Sequence, residues 1–75
     1  MNDNELIDYI TNLSNWIPQR DIPKAYPQFT HSQIKILLWK REEHPGLSRC
    51  MKMVGKRMYV NVPMFGLWMA GKISD

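Results

Sequence analysis

The run Thr30-His31-Ser32-Gln33-Ile34-Lys35-Ile36-Leu37-Leu38-Trp39-Lys40-Arg41-Glu42-Glu43 carries the clearest helix signal in the chain. Thr30 is a favoured N-cap residue, because its hydroxyl can accept from a backbone N–H of the first turn. Gln33, three residues on, has the spacing of a capping box. Ile34, Leu37, Leu38 and Arg41 fall on one stripe at helical spacing, and Ile36 and Trp39 widen the apolar zone. Pro45-Gly46 stops the run. The spacing predicts a helix over residues 31–43.

Working outward, Cys50-Met51-Lys52-Met53-Val54 alternates in strand fashion, and Gly55-Lys56 offers a tight turn. Arg57-Met58-Tyr59-Val60-Asn61 returns, rich in residues that suit a pleated surface. Pro63 opens a short last helix with Met64, Phe65, Leu67, Trp68 and Met69, which Gly71 ends. Upstream, Leu6, Ile7, Ile10 and Leu13 predict a first helix over residues 3–13, with Asp3 or Asn4 as its cap. Trp16-Ile17 reads as a short extended piece, and a second short helix runs from Pro18 or Gln19 to Tyr26. The order is helix, turn, helix, hairpin, helix. That order predicts an α+β fold: a small winged helix-turn-helix with a two-stranded wing, a short C-terminal helix and an extra N-terminal helix.

A chain of 75 residues is one domain with a thin core, since so small a domain buries only about 60% of its unfolded surface. Three Trp, three Tyr, two Phe and six Met supply the bulk. The single cysteine, Cys50, excludes an internal disulfide, and nothing in the N-terminal segment reads as a signal peptide. No apolar run approaches the ~20 residues of a membrane span. A reducing cytoplasm is the expected setting. Net charge is +3, unevenly spread. Residues 1–21 carry four acids against Arg20 alone, a net of −3. Residues 35–57 carry seven bases against Glu42 and Glu43, a net of +5. A field of that sign over the predicted helix and wing attracts polyanions.

The stretch from Phe29 to Glu43 resembles the recognition helix of small excisionase-like proteins. Gly46-Leu47, the wing Met53-Val54-Gly55-Lys56-Arg57-Met58-Tyr59-Val60 and the closing Phe65-Gly66-Leu67-Trp68 continue the resemblance. It extends from about Trp16 to Trp68. That family is similar to the compact winged helix of MerR-type regulators and serves phages and mobile elements. The resemblance implies binding of double-stranded DNA. It also implies a recombination directionality factor that bends attachment-site DNA for an integrase, or else a transcriptional regulator. Pro45 departs from the family's exit loop, and the acidic N-terminal segment has no counterpart in it. Residues 1–15 are therefore set apart as an acidic helical extension, and residues 16–75 as a winged-helix DNA-binding domain. A different expectation makes the acidic helix the working surface of a protein-interaction accessory factor.

The expected contacts with DNA follow from position. Ser32 and Gln33 lie in the first turn of the helix, where such folds reach base edges, and Gln reads adenine through two hydrogen bonds. Lys35 lies on the helix as a base or phosphate contact, with a snorkelling surface lysine as the alternative, and Lys40, further along, as a phosphate contact. Arg41 falls on the core stripe and is the weaker candidate. Lys56 and Arg57 sit at the wing, where Gly55 permits a sharp turn, with protection of a sheet edge as the alternative. Arg49 and Lys52 are secondary candidates for the same duty. Trp68 and Phe65 are expected in the core, and Trp39, off the main stripe, is less firmly placed. His31, His44 and Cys50 do not make a zinc set, Cys50 has no obvious paired base, the acids are scattered and Gly55 stands alone rather than in a phosphate-cradling loop, so no metal, cofactor, small-molecule substrate or catalytic residue is expected. Possible protein partners are an integrase or further copies of this chain on DNA.

Overall fold

The computed structural model describes residues 3–44 and 46–73, with side chains from Leu6 onward. It is a small α+β protein. Helix α1 spans Asp3–Thr11 and is followed by a 3-10 turn at Leu13–Asn15. Strand β1 covers Trp16–Pro18, a 3-10 turn Gln19–Asp21, and helix α2 Ile22–Ala25. Helix α3 spans His31–Trp39, a 3-10 turn Leu47–Cys50, strands β2 and β3 Met51–Val54 and Arg57–Asn61, and helix α4 Val62–Met69.

The sheet has three antiparallel strands in the order β1-β3-β2. The expected two-stranded wing thus gains a third strand from the Trp16-Ile17 piece. Pairing of Trp16 with Asn61, Ile17 with Val60 and Pro18 with Tyr59 sets β1 beside the central strand. Met51 pairs with Val60, and Lys52 with Tyr59. Side chains alternate across a sheet. One face therefore turns Ile17, Met51, Met58 and Val60 to the core, and the other carries Trp16, Lys52, Val54 and Tyr59.

Every helix sends a side chain into one core: Leu6 from α1, Ile22 from α2, Ile34 from α3, and Met64 and Phe65 from α4. Segment 1–15, set apart in the sequence as an extension, shares that core through Leu6. The predicted stripe on the first helix is only partly buried. Leu6 and Tyr9 face inward, while Ile7, Ile10 and Leu13 are exposed. The helix also stops at Thr11 rather than residue 13, because Asn12 accepts from the N–H and the hydroxyl of Ser14 (3.1 and 2.6 Å) and nucleates the 3-10 turn. The expected caps, Asp3 and Asn4, lie outside the described side chains.

Asn61 ties three elements together. It is fully buried. Its Oδ1 accepts from the Met64 N–H (3.1 Å), capping α4, and its Nδ2 donates to the Tyr9 carbonyl (2.9 Å). Helix α4 consequently starts at Val62, one residue before Pro63. Asn15 Nδ2 also donates to the Tyr9 carbonyl (3.1 Å), and Trp16 Nε1 to the Ile10 carbonyl (2.8 Å). These carbonyls belong to the last turn of α1, where no intrahelical donor remains.

Candidate nucleic-acid interface

Helix α3 begins as its sequence dictates. The Gln33 N–H donates to Thr30 Oγ1 (3.1 Å) and the Thr30 N–H to Gln33 Oε1 (2.9 Å), so both halves of the capping box are made. Phe29 and Ile34, the positions either side of that box that commonly pack together, both join the core. Phe29 meets Phe65 edge to face at 5.6 Å.

The helix ends at Trp39, four residues short of the predicted end. Glu42 and Glu43 would place two carboxylates at the negative end of the helix dipole, which disfavours continuation. Arg41 instead leaves the helix and donates from Nη1 to the Leu38 carbonyl (2.7 Å), taking one of the orphaned acceptors. Arg41 is thus a half-buried helix stop rather than part of a core stripe. Pro45 lies outside the described residues. Gly46 adopts φ +83, and a Cβ there would come within 2.7 Å of the Ile73 carbonyl oxygen. Only glycine fits this joint, which turns the chain so that Leu47 and Cys50 enter the core. Cys50 belongs to this 3-10 turn, not to the strand.

The candidate contact residues fall into distinct groups. Ser32, Lys35 and Lys40 line one shallow concavity on the exposed side of α3, together with Ile36 and Trp39. Trp39 is 84% exposed and Ile36 55%, so the apolar zone that widened the sequence stripe points to solvent. Gln33 lies elsewhere, in a shallow recess with Phe29, Ile36 and Leu37, and its carbonyl oxygen is held by the capping box. Lys52 stands on the outer sheet face, in a hollow with Leu13, Trp16, Val54 and Tyr59. Arg49 is half-buried in the 3-10 turn beside Cys50.

Lys56 and Arg57 share a small cavity of about 160 Å³ with Pro18, Gln19, Arg20 and Met58. Arg20 was not anticipated. Its link to the β2–β3 hairpin depends on β1: because β1 runs antiparallel to β3 and Pro18 pairs with Tyr59, the following residues continue past Met58 and Arg57. A recognisable strand at Trp16-Ile17-Pro18 was the signal available for it. At the turn between the strands Gly55 has φ +64, with open space around its Cα, so it supplies backbone freedom and nothing else.

Burial pushes the Cys50 thiol up to about 11, against a smaller opposing pull from the Arg49 charge. The thiol lies 3.5 Å from the Gly46 carbonyl as a donor. It is a packed, protonated side chain with none of the character of a nucleophile. No helix is long and apolar enough to cross a membrane among the described residues.

No family model, curated protein or solved structure matches this chain.

Proposed function

We propose that this chain binds double-stranded DNA site-specifically as a small winged helix-turn-helix protein. Helix α2, the turn over residues 26–30 and α3 form the helix-turn-helix, with α3 in the major groove. The β2–β3 hairpin is the wing, gripping the sugar-phosphate backbone or minor groove. The observation that carries this reading is the exposed face of α3. It presents Ser32, Lys35 and Lys40 around Ile36 and Trp39, and neither lysine ammonium has an ion-pair or hydrogen-bond partner among the described residues. Cations left uncommitted on an exposed helix favour phosphate contact, and apolar groups beside them suit the thymine methyl.

The output we propose is that of an excisionase-like recombination directionality factor: bending attachment-site DNA for an integrase, with promoter regulation by a phage or mobile element as the alternative. Footprinting separates the two, because the first protects an attachment site and the second a promoter. One domain of this size covers a short site, so cooperation with an integrase or with further copies along the DNA would supply the rest of the affinity.

Anisotropy titration of a mixed duplex pool at several salt concentrations tests the reading. Binding should weaken steeply with salt, since each neutralised phosphate releases counterions. Lys35→Ala/Lys40→Ala and Lys56→Ala/Arg57→Ala should each lower the magnitude of the log–log slope by about 2. Absence of binding to any duplex at low salt would overturn the proposal.

A further inference from the structure

We infer that Arg20 joins Lys56 and Arg57 to form a seat for one backbone phosphate of duplex DNA, so that the wing grips DNA with a residue from outside the hairpin. This rests on the DNA-binding reading and assigns a contact that the hairpin sequence does not contain.

The three cations come from two chain segments 36 residues apart and converge on one cavity of about 160 Å³. All three are exposed. None of their charged side-chain groups has a hydrogen-bond or ion-pair partner among the described residues. Three like charges gathered without a counter-charge among the described residues repel one another, and an anion relieves that repulsion. Asp21, next to Arg20 in the chain, does not line the cavity. The remaining walls, Pro18, Gln19 and Met58, bring one amide side chain and otherwise apolar surface. The three cations suit an anionic phosphate rather than a neutral base. A guanidinium fork meets two phosphate oxygens at once, and an ammonium adds a point charge.

The backbone positions the group. Pairing of β1 with β3 fixes Pro18 opposite Tyr59, and the 3-10 turn Gln19–Asp21 then carries Arg20 alongside the outer end of β3. Arg20 therefore holds its place through the sheet rather than through its own side chain. Replacing an exposed side chain there should leave the fold unchanged.

The test compares the intact chain with Arg20→Gln, Arg20→Lys and Lys24→Ala on duplex DNA across a salt series. Lys24 is an exposed cation on α2 that does not line the cavity. Arg20→Gln should lower the magnitude of the salt slope by about 0.9 and weaken binding several-fold at 0.1 M salt. Arg20→Lys should restore the slope but recover only part of the affinity, because the fork is lost. Lys24→Ala should change neither as much. In the Lys56→Ala/Arg57→Ala background, Arg20→Gln should cost less than it does alone, as coupled contacts to one phosphate require. If the intact chain binds and Arg20→Gln keeps its full slope, the seat is refuted while the DNA-binding reading stands. If Arg20→Gln costs the same in both backgrounds, the three cations do not share a phosphate, and the inference again fails alone. If the intact chain binds no duplex at low salt, both fall together.

Discussion

Gln33 illustrates how one side chain is asked to do two things. Its amide oxygen is already held by the Thr30 N–H at 2.9 Å, within the capping box that starts α3. Reading adenine through two hydrogen bonds needs that same oxygen together with the amide nitrogen. The two uses compete, because the box fixes the direction in which that oxygen points, so under the proposed DNA-binding reading sequence preference rests more on Ser32 and Lys35. Gln33→Glu separates the roles, because glutamate keeps the box while adding a negative charge to the front of the helix. It should leave the urea midpoint nearly unchanged and weaken duplex binding. Thr30→Ala should do the opposite: a loss of about 1 kcal/mol of stability in urea unfolding, with salt dependence retained. Equal losses of stability in both variants would show that the box contributes through the glutamine amide itself.

Cys50 makes a second argument at this scale. Its thiol is raised to about 11 by burial, above its ordinary value of 9.0. A folded-state value above the unfolded one means the folded chain holds its proton longer. Stability from this source is therefore complete below about pH 9 and falls between about 9 and about 11. Urea midpoints measured from pH 8 to 11 should decline for the native chain and decline less for Cys50→Ala, after allowing for the cavity that alanine leaves. Alkylation at pH 8 should be slow and should track unfolding.

At the scale of elements, the joints decide more than the elements do. The helix from Thr30, the hairpin around Gly55 and the closing helix were all legible, because capping chemistry, a tight-turn glycine and alternation are local signals. Three features were not. The end of α3 depends on Arg41 folding back onto the Leu38 carbonyl (2.7 Å), a competition that periodicity does not record. The inward face of α1 is Leu6 with Tyr9, whereas the apolar residues alone pointed to Ile7, Ile10 and Leu13 as well. Arg20 reaches the β2–β3 hairpin only through the pairing of a three-residue strand. Of the candidate contacts, Ser32, Lys35 and Lys40 share a face and Lys56 and Arg57 share a cavity, while Gln33, Arg49 and Lys52 lie apart from both.

Asn61 is the joint where these failures of locality concentrate. Its two polar atoms serve α4 and α1 from the end of β3. Asn61→Ala should remove a helix cap and leave a buried carbonyl with one donor fewer. The expected cost is about 2–4 kcal/mol in urea unfolding. Asn61→Asp keeps the cap acceptor but sets a carboxylate against the Tyr9 carbonyl, and should be no better. If Asn61→Asp matched the native chain, the link to α1 would carry little of the stability.

For the molecule as a whole, the question is whether the acidic first helix is an appendage or part of the body. Leu6 is 3% exposed, and the last carbonyls of α1 accept from Asn15, Trp16 and Asn61. Removing residues 1–11 would empty the Leu6 site and strand the buried Asn61 amide. In a domain whose total stability is of the order of 5–15 kcal/mol, that combination is enough to unfold a large fraction of the chain. The same deletion removes three carboxylates, which on charge alone should favour binding to a polyanion. The two effects oppose each other, so the deletion by itself is ambiguous. Paired point changes resolve it. Leu6→Ala keeps the charge and should cost about 2–4 kcal/mol in urea unfolding. Asp8→Asn, on an exposed position, keeps the core and should leave the midpoint within about 0.5 kcal/mol. Asp8→Asn should also speed association with duplex DNA at low salt, an effect that fades as salt is raised. A stable Leu6→Ala would return α1 to the status of an appendage. An Asp8→Asn variant that associates more slowly would instead place the acidic helix among the contacts with the partner.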